Sequence, residues 1–303
     1  MSSRVLVTGA HGFVGKHVFH AFESGSFGDA VAIAPPPGWD LRDVDAVNAV
    51  VSDARPDAVI HLAAQSFVPR SFQDPEETFQ INLLGTLHLL QALKRVDFSG
   101  RLLYVSSGDV YGRVPDEALP VDEHRLPEPR SPYAVSKWAA EQLCLQWSRT
   151  EGLDCVVARP FNHIGPGQDR RFVLPALARQ VVDIALGEQA PVIEAGDVDT
   201  TRDFTDVRDV VSAYAAMLSR GVSGRVYLVA SGKEMRVRDL LGMMCRAAGI
   251  DPVVHQDPAR IRPAEQRRMV ASAQLLSADT GWAPSYSIES TITDILKDAT
   301  NNI

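Results

Sequence analysis

The sequence predicts an α/β fold: a doubly wound parallel sheet with a smaller, mixed lobe drawn from the C-terminal half. Three observations predict it. The first half alternates short apolar runs with amphipathic helical stretches. The first such run ends in a glycine-rich turn that opens a helix. The second half loses this regularity, with Pro- and Gly-rich turns at 165–167 and 257–263.

The expected strands are 5–8, 30–34, 58–62, 102–106 and 155–159, and 226–229 is expected to return to the same sheet. Runs that are apolar on both faces suit strands covered by helices on either side. Long helical stretches occupy 75–94 and 133–149. With 303 residues, 45% of them hydrophobic, the chain can bury a large core as one unit or two closely joined lobes.

Thirty Lys and Arg against 38 Asp and Glu give a net charge of −8, a poor partner for nucleic acid or an anionic membrane. An anionic ligand must then be held by local cations. No apolar run reaches the roughly 18 residues a membrane span needs, and the N-terminus carries no signal-peptide pattern, so a cytoplasmic protein is expected. Cys144, Cys155 and Cys245 are odd in number and lack metal-like spacing, so they read as reduced thiols. His17 and His20 share a helix face without an accompanying acid or cysteine and read as helix-surface residues; no metal site is expected.

The first strand runs directly into Gly9-Ala-His-Gly12-Phe-Val-Gly15. Glycines there serve a tight turn, close backbone approach to a pyrophosphate, and tight helix–strand packing. The helix start at Phe13 and Val14 adds free N–H groups and a positive dipole end. A Rossmann-type NAD(P) site is therefore expected. Residues 1–162 with parts of 197–230 would form the cofactor domain, and 163–196 with 231–303 the substrate lobe. The second strand end, Ala32-Ile-Ala-Pro-Pro-Pro37, holds neither the acid that binds adenosine ribose hydroxyls nor an Arg for a 2′-phosphate. Either NADH or NADPH is expected. Asp40-Leu41 is read as capping the adenine ring, against the alternative of a surface Asp that starts a helix.

Tyr133-Ala-Val-Ser-Lys137 places a phenol and an ammonium one helical turn apart on one face. A free Tyr, near pKa ~10, relays protons slowly. A neighbouring Lys cation is expected to bring it toward working pH. Ser107, just past the strand at 102–106, is placed to polarise a substrate oxygen.

TGAHGFVG, HLAAQSFVPRSF, YVSSGDVYG, SPYAVSKWAAE, RPFNHIGPGQ and TTRDFTDVRDV occur in this order. Together they resemble the extended short-chain dehydrogenases/reductases that act on nucleotide sugars, from Arg4 to about Trp282. The chain is similar to the GDP-mannose 4,6-dehydratases and, through DPARIRPAEQRR, more closely to the GDP-6-deoxy-D-mannose reductases. The resemblance implies Ser107, Tyr133 and Lys137 as catalytic triad. It implies Gly9, Gly12 and Gly15 as the cofactor loop, Leu62, Ala63 and Ala64 along the nicotinamide half, and His163 beside the cofactor. It implies Gln65, Ser66, Asp109, Asn162 and Val173 beside the substrate. Arg202, Arg262 and Glu265 would clamp the nucleotide diphosphate and ribose, as Arg–phosphate and carboxylate–hydroxyl chemistry allows. It also implies a homodimer in which the two long helices pair as a four-helix bundle. Trp138, Leu143, Leu145 and Trp147 are more apolar than one buried face requires.

Two departures separate reductase from dehydratase. The dehydratases carry Ser-Thr-Ser-Glu-Leu-Tyr-Gly, where the Glu serves elimination across carbons 5 and 6; this chain has Ser106-Ser-Gly-Asp109-Val-Tyr-Gly112. A carboxylate about 1 Å short costs about a hundredfold in rate. The dehydratase Phe-Val-Thr-Arg-Lys reads Phe172-Val-Leu-Pro-Ala176 here, without the phosphate Lys, and Arg179 is the nearest replacement. The expectation is an NAD(P)H-dependent 4-ketoreductase converting GDP-4-dehydro-6-deoxy-D-mannose to GDP-D-rhamnose. A 4,6-dehydratase, a nucleotide-sugar 4-epimerase and a cofactor-sensing regulator are the alternatives.

Overall fold

The computed structural model describes residues 2–258 and 266–301. Six strands form one all-parallel sheet in the order β2-β1-β3-β4-β5-β9: β1 Arg4–Thr8, β2 Val31–Ile33, β3 Ala58–His61, β4 Arg101–Val105, β5 Asp154–Pro160 and β9 Val226–Val229. The strand order reverses beside β1, so the glycine loop opens at the switch point where such sheets bind ligands. The expected return of 226–229 to the main sheet is the β5–β9 pairing.

Period-2 alternation sorts the strands' side chains onto two faces. Val5, Val7, Ile60, Leu103 and Val156 meet α1 Phe13–Glu23 and α8 Val207–Arg220 on one side. Leu6, Val59, Leu102, Tyr104 and Val157 meet α2 Val44–Ala54, α5 Gly85–Arg95 and α6 Pro132–Glu151 on the other. Each buried Leu or Val contributes about 1.5–3 kcal/mol of transfer free energy.

The expected helix 75–94 is three pieces: α4 Pro75–Phe79, a π-helical turn Gln80–Leu84, and α5, preceded by α3 Val68–Gln73. The helix α6 starts at a Ser131 cap with Pro132 in its first turn and stops at Gly152 in the left-handed region. It spans the expected 133–149 with one turn fraction more at each end.

The smaller lobe holds two further sheets. In one, β8 Thr201–Asp206 pairs parallel with β6 Asn162–Ile164 and antiparallel with β10 Glu234–Arg236. In the other, β7 Val192–Ala195 pairs with β11 Val253–Gln256. Its own core joins α7 Val173–Ala185, α9 Val237–Ala248 and α11 Ile288–Asn301. The expected boundary needs one correction. The helix α10 Gln274–Thr280 and Trp282, assigned to the substrate lobe, pack on the main sheet's core through Leu276 and the indole. The Trp282 Nε1–H donates to Asp209 O at 3.2 Å and Ser212 Oγ at 2.9 Å, which fixes it there. Among the described residues no helix is long and apolar enough to cross a membrane.

Candidate active site

The loop after β1 has the shape of a cradle. Gly9 sits at φ +75°, and a Cβ there would lie 2.8 Å from Ala63 N and 3.0 Å from Leu62 C. The cofactor loop thus packs directly on the 62–64 segment. A Cβ at Gly15 would come 2.2 Å from Gly9 O, so only glycine lets α1 start this close to the strand. Gly12 caps α1 without a side-chain hydrogen bond, and the first turn has no acid. By contrast, α2, α6 and α8 are capped by Asp43, Ser131 and Asp206. The first-turn N–H groups of α1 therefore face outward with a positive dipole end, and the residues present fit a dinucleotide pyrophosphate.

Phe13 and His163 are brought together from opposite halves of the chain, ring on ring with centroids 6.0 Å apart. His163 Nδ1 lies 3.1 Å from Phe161 O, and burial lowers its pKa, leaving a neutral imidazole beside the cofactor loop. His17 is not the surface residue expected. It is half-buried, its Nε2 lies 2.9 Å from Pro166 O, and burial lowers its pKa too. It ties α1 to the loop after β6, while His20 is exposed. Among the described residues no group of three or more His, Cys, Asp or Glu is arranged to hold a metal ion.

Asp40 and Leu41 each have partners within the chain. Asp40 is engaged by Arg42, with Nη2 to Oδ2 at 2.6 Å and Nε to Oδ2 at 2.9 Å, which lowers its pKa. Leu41 is buried under α5, where a Cβ on Gly85 would meet its side chain at 2.7 Å. Leu41 is a core residue, and Asp40 is half of an ion pair.

Ser107, Tyr133 and Lys137 converge at the carboxyl edge of the sheet. Ser107 follows β4 and caps a short 3-10 turn Gly108–Tyr111, its Oγ accepting from Asp109 N at 3.1 Å. Tyr133 and Lys137 lie one turn apart on α6, both buried. Burial, and then the charge of Asp109, raise the Tyr133 pKa well above the usual phenol value, while a hydrogen bond with Ser107 pulls the other way. The sequence expectation that Lys137 brings this phenol down is not what dominates. The Lys137 ammonium sits over the Tyr104 ring, 4.6 Å from its centre, and burial lowers its own pKa to about 8. Tyr133 is therefore held protonated at neutral pH.

A buried relay that sequence reasoning missed supports this arrangement. Thr86 Oγ1 donates to Asn82 O at 2.6 Å, so it accepts from His61 Nε2 at 3.0 Å. His61 Nδ1 then accepts from Thr8 Oγ1 at 2.7 Å, and Thr8 Oγ1 accepts from Ala63 N at 3.2 Å. Asn82, inside the π turn, holds Gln65 N and O at 2.8 and 3.1 Å and donates to Ser136 Oγ at 2.9 Å. Ser136 Oγ donates to Tyr133 O at 2.7 Å. The signal available in the sequence was three polar residues, Thr8, His61 and Thr86, each set within an apolar run. π turns recur at functional sites, and here the extra residue turns Asn82 inward.

The substrate side is less assembled. Gln65 spends its side chain on Phe67 N at 2.7 Å and Thr78 Oγ1 at 3.1 Å. Ser66, Asp109 and Asn162 are exposed, and Val173 opens α7 at the surface. Phe67 meets Phe172 edge-on at 6.3 Å, joining the two lobes. Arg179 pairs with Asp183, and with Glu188 at 3.6 Å. Arg202 Nη1 donates to Thr201 O at 2.7 Å and Arg267 O at 3.4 Å, which holds its guanidinium against β8. Arg262 and Glu265 lie outside the described residues.

Comparisons with known proteins agree on one family. Residues 38–295 match the family model described as GDP-mannose 4,6 dehydratase. The chain is 50% identical over 298 residues to the GDP-6-deoxy-D-mannose reductase of Pseudomonas aeruginosa, covering 98% of this chain and 97% of that one. A structure of RMD from Pseudomonas aeruginosa complexed with NADPH superposes with a TM-score of 0.94 at 48% identity, covering 100% of both chains. The Thermus thermophilus UDP-glucose 4-epimerase complexed with NAD is more distant, with a TM-score of 0.86 and 32% identity over 99% of this chain and 100% of that one.

Proposed function

The chain belongs to the GDP-mannose 4,6 dehydratase family, and on that premise we propose a reductase that converts GDP-4-dehydro-6-deoxy-D-mannose to GDP-D-rhamnose with NADPH or NADH. The observation that carries this reading is the end-to-end identity of half of all residues with a GDP-6-deoxy-D-mannose reductase. The site chemistry agrees with it. When bound, NAD(P)H supplies the hydride that carbon 4 of the sugar accepts. Gly9, Gly12, Gly15, Phe13 and Val14 would hold its pyrophosphate half, with Leu62, Ala63, Ala64 and His163 along the nicotinamide half.

Tyr133 hands its proton to the alkoxide that forms at the substrate's 4-oxygen, and Ser107 donates a hydrogen bond to the same oxygen. Lys137 holds the nicotinamide ribose, its cation settled on the Tyr104 ring. Arg202, with Arg262 and Glu265, binds the nucleotide end; binding energy gained there orients the sugar. A dehydratase or epimerase would first need Tyr133 to accept a proton from an alcohol. Burial and the Asp109 charge disfavour the phenolate and keep Tyr133 protonated, the form that gives a proton to the new alkoxide.

The protomers pair through α4, the π turn and α6, which lie side by side. Leu145 is buried in the chain's own core, and Trp138, Leu143 and Trp147 are half-buried against its cores. The exposed apolar side chains on this side are instead Phe72, Leu84 and Val135, and a second copy of the chain would cover them.

The test is direct: incubate the protein with GDP-4-dehydro-6-deoxymannose and NADPH or NADH, and identify the sugar. GDP-D-rhamnose with stoichiometric cofactor oxidation is expected. An unchanged ketone would overturn the reading.

A further inference from the structure

We propose that Glu141, Arg159 and Tyr111, none of which touches the reacting atoms, form a buried tie that sets the Ser107 turn against the Tyr133 helix. Glu141 lies on α6, one turn beyond Lys137, and is fully buried. Arg159 comes from the end of β5 and is 5% exposed. The two meet in a bidentate pair, Nη2 to Oε1 at 2.5 Å and Nε to Oε2 at 2.9 Å. The third nitrogen, Nη1, donates to the Tyr111 hydroxyl at 2.7 Å, and the guanidinium lies 5.0 Å from that ring's centre. The Tyr111 hydroxyl donates onward to Asp122 O at 3.1 Å.

What these three residues connect gives the tie its function. Tyr111 ends the 3-10 turn whose first position follows Ser107 and whose second is Asp109. Glu141 belongs to the helix that carries Tyr133 and Lys137. Arg159 leads through Phe161 into Asn162 and His163 of β6. The Phe161 ring is stacked near Tyr111, 6.2 Å between centres, and a Cβ on Gly108 would meet that ring at 3.0 Å. One buried guanidinium therefore ties the Ser107 turn, the helix of Tyr133 and the end of β5 to one another.

Stability alone does not account for such a pair. Taking two charges out of water is costly, and well-packed apolar replacements are often as stable or more so. What apolar side chains cannot supply is three directed hydrogen bonds from one planar group to two different elements. An error of about 1 Å between proton donor and oxygen costs about a hundredfold in rate, so the tie acts on kcat.

The inference rests on the reductase reading for its kinetic arm only. Three proteins are compared: wild type, Tyr111→Phe, and the double variant Glu141→Leu with Arg159→Met, which removes both charges together. For both variants the expected result is thermal stability and NADPH affinity within about twofold of wild type, kcat down about ten- to hundredfold, and KM little changed. A larger primary isotope effect from deuterated NADPH is expected because hydride transfer becomes rate-limiting. Backbone hydrogen exchange across 107–112 should rise in both variants. That measurement does not depend on the sugar, so it judges the tie even if wild type were to leave the ketone intact. Unchanged exchange at 107–112 overturns the tie. A well-folded double variant with wild-type kcat overturns it equally. A Tyr111→Phe protein that loses stability and activity in parallel, with no rise in the isotope effect, marks a purely structural residue and also overturns it.

Discussion

Ser107 stands beside the buried phenol of Tyr133. Its hydroxyl favours the phenolate, yet burial first and the Asp109 charge second outweigh it and keep the proton in place. In the proposed reaction Tyr133 is the acid and Ser107 the neutral donor. Tyr133→Phe keeps the ring and removes the proton. It should lose about 10²–10⁴ in kcat while NADPH binding, read by fluorescence titration, stays within about twofold. Lys137→Ala should weaken both cofactor affinity and rate. Undiminished ketone reduction by the Phe variant would show that another group supplies the proton.

Coenzyme choice turns on Asp40 and Arg42. Asp40, beyond the second strand, is paired with the Arg42 guanidinium, and the strand end itself carries neither an acid nor an Arg. NADPH and NADH should therefore differ in kcat/KM by less than about 1.4 kcal/mol, a factor of ten. Arg42→Ala leaves the Asp40 charge uncompensated and should move the ratio toward NADH. A hundredfold preference in the wild-type enzyme would contradict this, as would a variant with an unmoved ratio.

Assembly has a simple readout. Light scattering at micromolar concentration should give the mass of two chains. Leu84→Asp and Phe72→Asp place charge on exposed apolar positions and should give monomers with unchanged circular dichroism. A monomeric wild type removes the proposed interface.

His61 predicts an acid sensitivity. Burial first, then the Lys137 charge, lower its pKa to about 3, against about 6.5 in an unfolded chain. Between those values the unfolded state binds more protons, so stability is present above about pH 6.5 and is lost as pH falls toward 3. From pH 6.5 to 5 the loss should be about 2 kcal/mol, read by urea denaturation. His61→Gln should flatten that dependence. An equal slope in wild type and variant would place the titration elsewhere.

The sheet was legible because its strands are apolar on both faces and separated by helical periods, and β1, β3, β4, β5 and β9 lie within a residue or two of expectation. The glycine loop was legible because Gly9 and Gly15 each answer a steric demand. Other features depend on tertiary contacts. A helical period does not register the extra residue of the π turn at Asn82. Nothing local says that Trp282 crosses to Asp209 and Ser212. Arg179 looked like a spare cation, although Asp183 stands four residues on, the spacing at which helix charges pair. Glu141 and Arg159 are 18 residues apart and became a pair only when α6 packed on β5.

The last prediction concerns Asp109 and separates reduction from dehydration. Elimination needs a carboxylate that reaches the proton on carbon 5 and the leaving hydroxyl on carbon 6. Asp109 sits at the exposed start of the 3-10 turn, its backbone N–H bonded to Ser107 Oγ, one methylene shorter than the Glu of the dehydratases. GDP-mannose with oxidised cofactor should therefore remain intact, and solvent deuterium should not enter carbon 5. Asp109→Asn should leave ketone reduction within about threefold, because only Tyr133 gives a proton in that step. It should also lower the alkaline limb that Tyr133 contributes, since one of the charges holding the phenol protonated is gone. Asp109→Glu, with Gly108 unchanged, should gain at most a trace of elimination. Rapid accumulation of a 4-keto sugar from GDP-mannose by the unmodified protein would reverse the assignment of the reaction. It would leave the sheet, the glycine loop and the Ser107–Tyr133 pairing as they stand, because a dehydratase needs all three as much as a reductase does.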